Sequence, residues 1–344
     1  MERILQLAAP GRCLLSVTSQ LRSAQSPLSA FFARELPLAS PVVAALTRDL
    51  TAHPLLFPPA SFRGGDWGTV GTAFDLRVRC YFSARLPEAR SAMRGAVMVA
   101  HLIASETDGT EAAAIALWTK VIERIGVDLD RIGTAGRRLE WDDEDRVNAH
   151  CLVLALFEQC ARAAPRPEFP AVMAMTAALA QNSTHPILEL PKEHWLADLR
   201  QLSWRFIETQ HDLVHRPAQL NPTFAGSLDV GGADADLIVE DLLVDLKSSR
   251  NPLTKEDLYE ALAYLLLDYD DAFGIERVGL YAARRGRLVS WKVSNLLRAL
   301  SRDVPQPLAD LRERLRDALL HQPEERPPDA PTPKGSTHHA TIRR

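Results

Sequence analysis

Residues 231–249 read GGADADLIVEDLLVDLKSS. The aliphatic runs LIV and LLV flank Glu240-Asp241, so the stretch predicts a β-hairpin turning on that pair. Such a turn sets Val239 opposite Leu242, Ile238 opposite Leu243, Asp236 opposite Asp245 and Asp234 opposite Lys247. Side chains alternate with a period of two. Asp234, Asp236, Asp245 and Lys247 therefore leave one face, while Leu237, Val239, Val244 and Leu246 leave the other, toward the core. Two carboxylates directly across a strand pair, roughly 5 Å apart at Cβ, repel each other. A hard divalent cation relieves that repulsion, because Mg2+ takes carboxylate, water and phosphate oxygens. Lys247 adds a positive charge where it can orient an attacking water or stabilise a phosphoryl transition state. The hairpin thus reads as a metal site facing a phosphodiester. A solvated charged face is the plainer reading, but both strands are strongly aliphatic and a Leu-rich helix follows.

Outward from the hairpin, Thr254-Lys-Glu-Asp257 forms a capping-box pattern with Asp in the place of Glu, opening the helix EDLYEALAYLLLDYDD. RVGLYAA and RLVSWKV alternate around an Arg-Arg-Gly turn and predict a second hairpin, followed by the helices LLRAL and PLADLRERLRDALL. Upstream, KEHWLADLRQLSWRFIETQHDLVH is helical. So are SAMRGAVMVAHLIASE, TEAAAIALWTKVIERI and EDRVNAHCLVLALFEQCARAA, by apolar spacing of three to four. The chain divides into an N-terminal part (1–90), a helical layer (91–190), an α/β part (191–322) and a tail (323–344). The tail is rich in proline and poor in large apolar side chains, and is expected to be disordered.

Of 344 residues 46% are hydrophobic, which is enough for a sizeable core, and the formal net charge of −4 excludes a generally basic coat for nucleic acid. Cys13, Cys80, Cys151 and Cys160 form no CxxC pair, so they read as reduced thiols of a cytoplasmic protein. The N-terminus is a poor signal peptide, and no apolar run reaches the roughly 20 residues a membrane span needs. Composition rich in Ala, Arg, Leu and Pro points to a bacterial coding sequence.

The acids, Asp-x-Lys and flanking elements resemble the PD-(D/E)XK nuclease superfamily, over roughly residues 220–293. The similarity extends to its RecB-like branch, which includes Cas4-type exonucleases. Glu260-Ala-Leu-Ala-Tyr264 stands where that branch has Gln-x-x-x-Tyr, and Gly71-Thr-Ala-Phe-Asp75 where it has Gly-x-x-x-His. Ser26-Pro27 stands in place of a Cys-Pro, so no iron–sulfur cluster is expected. The resemblance implies an α/β fold, a central mixed sheet flanked by helices, with residues 91–190 as an insertion or a protein-partner layer. It implies a Mg2+- or Mn2+-dependent nuclease acting on nucleic acid, most naturally DNA, leaving open whether ends are required and whether the setting is repair, defence or mobile-element processing. Asp236 and Asp245 would hold the metal, Asp75 would be a third ligand, and Lys247 would be catalytic. Asp234, Glu260 and Tyr264 would meet the substrate. Loss of Lys247 is expected to abolish cleavage yet spare folding. The alternative is a catalytically silent nuclease fold serving as a nucleic-acid-binding or scaffolding subunit.

Other signals are weaker. His211 and His215 lie one helical turn apart without a third zinc ligand at a familiar spacing. The glycines of RGGDWGTVGT read as turns, lacking the ending of a phosphate loop. Arg277, Arg284, Arg285, Arg287 and Lys292 on the second hairpin could follow a nucleic-acid backbone, or serve solubility alone.

Overall fold

The computed structural model describes residues 16–83, 89–104 and 110–320. Cys13 and the tail expected to be disordered lie outside them. The chain opens with α1 (Val17–Arg22), α2 (Pro27–Glu35), α3 (Ala39–Thr51) and α4 (Asp66–Phe82). It continues with α5 (Arg90–Ala104), α6 (Thr110–Ile132), α7 (Trp141–Arg162), α8 (Pro170–Gln181), α9 (His185–Leu188) and α10 (Glu193–Thr209). The α/β part is β1 (Ala218–Leu220), β2 (Leu237–Val239), β3 (Leu242–Lys247), α11 (Lys255–Leu267), β4 (Arg277–Ala282), β5 (Arg287–Lys292), α12 (Val293–Leu300) and α13 (Leu308–Leu320). No single helix among the described residues is long and apolar enough to cross a membrane.

One five-stranded mixed sheet runs in chain order β1-β2-β3-β4-β5. Only β3 and β4 are parallel, and α11 is their crossover. Both arms of the predicted capping box are present: Thr254 Oγ1 accepts the Asp257 N–H at 3.3 Å, and Asp257 Oδ2 accepts the Thr254 N–H at 2.7 Å. The hairpin pairs Val239 with Leu242, Ile238 with Leu243 and Leu237 with Val244. Glu240, at the turn, takes a φ of 55°, a left-handed value that costs a residue with a Cβ.

Both faces of this sheet are covered, unlike the one-sided core the alternation suggested. Leu237, Val239, Leu242, Val244 and Leu246 join α4–α10 in one apolar core. Ile238, Leu243, Val278 and Leu280 join α1–α3 and α11–α13 in another. The helical layer therefore shares its core with the sheet. Its centre is α7, whose buried side chains run from Glu144 to Cys160 on nearly all sides. Burying Glu144 is tolerable because Arg77 of α4 meets both of its oxygens at 2.8 Å while stacking over Tyr81.

The reading of RGGDWGTVGT as turns holds for Gly64 and Gly65, which precede α4, but not for Gly68 and Gly71, which lie inside it. Gly71 serves close approach, since a Cβ there would meet Ser248 Oγ at 3.0 Å, just past the end of β3. A tighter contact joins α5 to α7. The buried stripe of α5 is small (Ala92, Gly95, Ala96, Val99, Ala100), and a Cβ on Gly95 would fall 1.7 Å from the Phe157 carbonyl oxygen. Gly95→Ala is therefore expected to destabilise the protein by about 3 kcal/mol, the upper range for overpacking. A urea unfolding midpoint indistinguishable from wild type would disprove that backbone contact.

Candidate active site

The acidic end of the hairpin opens into a cavity of about 690 Å³. It is lined by Asp234, Asp236, Asp245 and Lys247, by Asp75 of α4, and by Glu260 and Tyr264 of α11. Residues separated by almost 190 positions thus share one space. The pairing differs from the expected ladder. β2 begins only at Leu237, so Asp236 is not a strand partner of Asp245. Instead its carboxylate accepts the Leu246 N–H at 2.6 Å, replacing a backbone carbonyl. Asp234 bridges Thr223 rather than Lys247. The segment before β2 is held from the β1 side, with the Asn221 N–H on the Asp236 carbonyl and the Ala235 N–H on that of Pro222.

Lys247 is the hub. Its Nζ lies 2.5 Å from Glu260 Oε2, 2.8 Å from Asp245 Oδ2 and 3.8 Å from Asp257. Burial alone would push its pKa down. The charges of Asp245, Glu260 and Asp257 overcome that and hold it well above the ordinary lysine value. Lys247 is thus held as a cation by these acids. Glu260 also accepts a hydrogen bond from the Thr18 hydroxyl of α1. Burial opposes its ionisation, but Lys247 and these hydrogen bonds keep its pKa below the usual value. Glu260, expected at the substrate, thus spends its carboxylate on Lys247 and α1.

The remaining acids are held less well. Burial, then the neighbouring Asp236, raises the pKa of Asp75 well above the carboxylate range. Burial raises Asp245 similarly; Lys247 opposes the rise while Glu260 and Asp236 add to it. Asp236 is raised by burial despite the Leu246 N–H. Asp245 is only 3% exposed, and its Oδ2, though close to Lys247, has no aligned hydrogen bond. An all-oxygen, anion-rich donor set suits a hard divalent cation. The side chains do not already enclose one: among the described residues no group of three or more His, Cys, Asp or Glu is arranged to hold a metal ion.

The end of β3 is anchored from behind. Arg284 Nε donates to the Ser248 carbonyl at 2.8 Å, and its other nitrogens meet Asp198 of α10 at 2.9 and 2.7 Å. Arg284 is 2% exposed, so it is no part of a basic surface. Nor is Arg277, which pairs with Asp241, while Arg285 donates to the His53 carbonyl. His211 and His215 lie beyond the end of α10, their Nε2 atoms 3.4 Å apart; Asp212 Oδ1 is 3.6 Å from His211 Nδ1, yet among the described residues no group of three or more is arranged to hold a metal ion there. The cavity's three arginines escaped the sequence reading: Arg79 of α4, Arg94 of α5 and Arg162 of α7. The i, i+4 spacings Asp75/Arg79 and Glu158/Arg162 were visible in the sequence, but their convergence on the hairpin was not.

No protein-family model, curated protein or solved structure matches this chain.

Raised carboxylate pKa values have a definite thermodynamic sign. An acid whose folded pKa exceeds its unfolded value contributes stability below the ordinary carboxylate range, and loses it as pH rises through the folded value. With metal chelated, Asp75, Asp236 and Asp245 should therefore make the protein less stable from mildly acidic to neutral pH. Asp75→Asn should flatten that fall. Urea titrations across this window check the expectation, and an unchanged slope in Asp75→Asn would remove Asp75 from the repelling set.

Proposed function

We propose that the protein is a metal-dependent nuclease that hydrolyses phosphodiester bonds, most naturally in DNA. One observation carries this reading. Asp75, Asp236 and Asp245, all with pKa values raised by burial and by mutual repulsion or other nearby acids, share a cavity with a lysine held as a cation. Structural ion pairs are normally balanced; this set carries surplus anion at a buried point. Asp236 and Asp245, with Asp75, would hold Mg2+ or Mn2+. Bound there, the cation would supply Lewis-acid polarisation of a phosphoryl oxygen. Lys247 would hold positive charge beside the transferring phosphoryl group and orient the attacking water. Glu260 and Tyr264 would act as positioning residues, since Glu260 touches Lys247 and Tyr264 reaches Glu260 at 3.5 Å. The similarity to PD-(D/E)XK nucleases supports the same assignment from the Asp-x-Lys pattern.

The structure adds a cost to the expectation that loss of Lys247 spares folding. Truncating it leaves Glu260 and Asp245 buried without their cation, typically about 3–5 kcal/mol for a broken buried pair. The informative variant is thus Lys247→Met/Glu260→Gln, which removes the cation together with one of its two close acids and leaves Asp245 for the metal. Wild type should degrade end-labelled linear DNA with Mg2+ or Mn2+, and the double variant should not while melting as a folded protein. Mn2+ should also raise the melting temperature of wild type but not of Asp245→Asn. Cleavage by the double variant would overturn the role of Lys247. A folded wild type that cleaves nothing and ignores Mn2+ would favour the silent binding subunit.

A further inference from the structure

On the helical side of the cavity each acid has an arginine one turn beyond it, Asp75 with Arg79 on α4 and Glu158 with Arg162 on α7, and Arg94 of α5 stands beside them. The Nε of Arg79 is buried and has no hydrogen-bond partner. Arg94 of α5 is exposed at the same cavity, with no hydrogen bond or ion pair among the described residues. Arg162 closes the group from the end of α7; it pairs with Glu158, yet its side chain remains 64% exposed. By contrast, Arg77, Arg200, Arg277, Arg284 and Arg312 are all committed to carboxylates. Leaving a buried guanidinium nitrogen unpaired is costly unless something else binds it.

We propose that Arg79 and Arg94, with Arg162, form an anion-binding wall that holds the phosphate backbone of one nucleic-acid strand opposite the hairpin acids. This rests on the nuclease reading for its ligand. Guanidinium is suited to the task because its planar fork meets two phosphate oxygens at once. It also explains how a polyanion could enter a cavity already rich in carboxylates: the cations offset the repulsion along the wall it touches. Asp245 is nearly closed to solvent at 3% exposure, which favours a flexible single strand over a rigid duplex as the occupant to be tested. Residues 91–190 would then be part of the substrate channel through Arg94 and Arg162.

The test is fluorescence anisotropy of a labelled single-stranded oligonucleotide in chelator, so that binding is read without cleavage. Arg79→Gln/Arg94→Gln should weaken binding at least about tenfold, and should flatten the plot of log K against log salt by about 1.4, or 0.7 for each lost phosphate contact. Arg79→Lys/Arg94→Lys, which keeps the charges, should recover part of both and so separate lost charge from lost fold. A labelled duplex of the same sequence should bind more weakly than the single strand. Unchanged affinity and salt slope in the Gln variant, or no strand binding by wild type, would overturn the wall. Duplex binding as tight as single-strand binding would overturn the strand assignment. Cleavage by wild type with unaltered binding in the Gln variant would sink the wall and spare the nuclease. Binding that depends on the arginines, in a protein that never cleaves with Mn2+, would do the reverse.

Discussion

The candidate site rests on one constraint: carboxylates crowd the buried end of a hairpin and must be compensated there. Lys247 supplies one charge, shared among Asp245, Glu260 and Asp257. The Leu246 N–H supplies a dipole to Asp236. Arg79 partly offsets Asp75 and Asp236, and Arg162 offsets Asp75, yet burial and the neighbouring acids still leave Asp75, Asp236 and Asp245 with raised pKa values. A polypeptide optimised for stability alone would place aliphatic residues at such a point, since buried ion pairs rarely outperform well-packed hydrocarbon.

The surrounding fold holds that end of the hairpin still. Arg284 bonds the Ser248 carbonyl and is itself neutralised by Asp198, so the residue following Lys247 is tied to α10. Gly71 lets α4 approach the same residue, which carries Asp75 and Arg79 to the cavity. On the opposite side, the capping box starts α11 and places Glu260 against Lys247, while Thr18 of α1 bonds Glu260. The Arg284–Asp198 pair and the capping box use different physics to the same end. One is a desolvated, bidentate ion pair; the other satisfies backbone amides that a helix start would leave open.

The helical layer takes on a different meaning once its packing is seen. Its central helix α7 is buried on nearly all sides and ends at Glu158 and Arg162, inside the cavity. The near-contact of α5 and α7 at Gly95 and Phe157 lies one residue along from Arg94. The contact that stabilises this pair of helices thus also sets where two of the cavity's arginines stand.

By itself, the sequence determined the hairpin, its Glu240-Asp241 turn, the capping box of α11 and the second strand pair. Each rests on local rules: a period of two, turn length, and bonds between residues three apart. Those rules also singled out Asp236, Asp245 and Lys247, because alternation places charges on a face without reference to anything distant. Only the tertiary structure decided that both sheet faces are covered, and that Gly68 and Gly71 belong to a helix. It alone committed Arg284 to Asp198 and brought Arg79, Arg94 and Arg162 to the acids. Those facts depend on packing between segments far apart in the chain, where periodicity shows that a helix has a buried side but not which neighbour covers it.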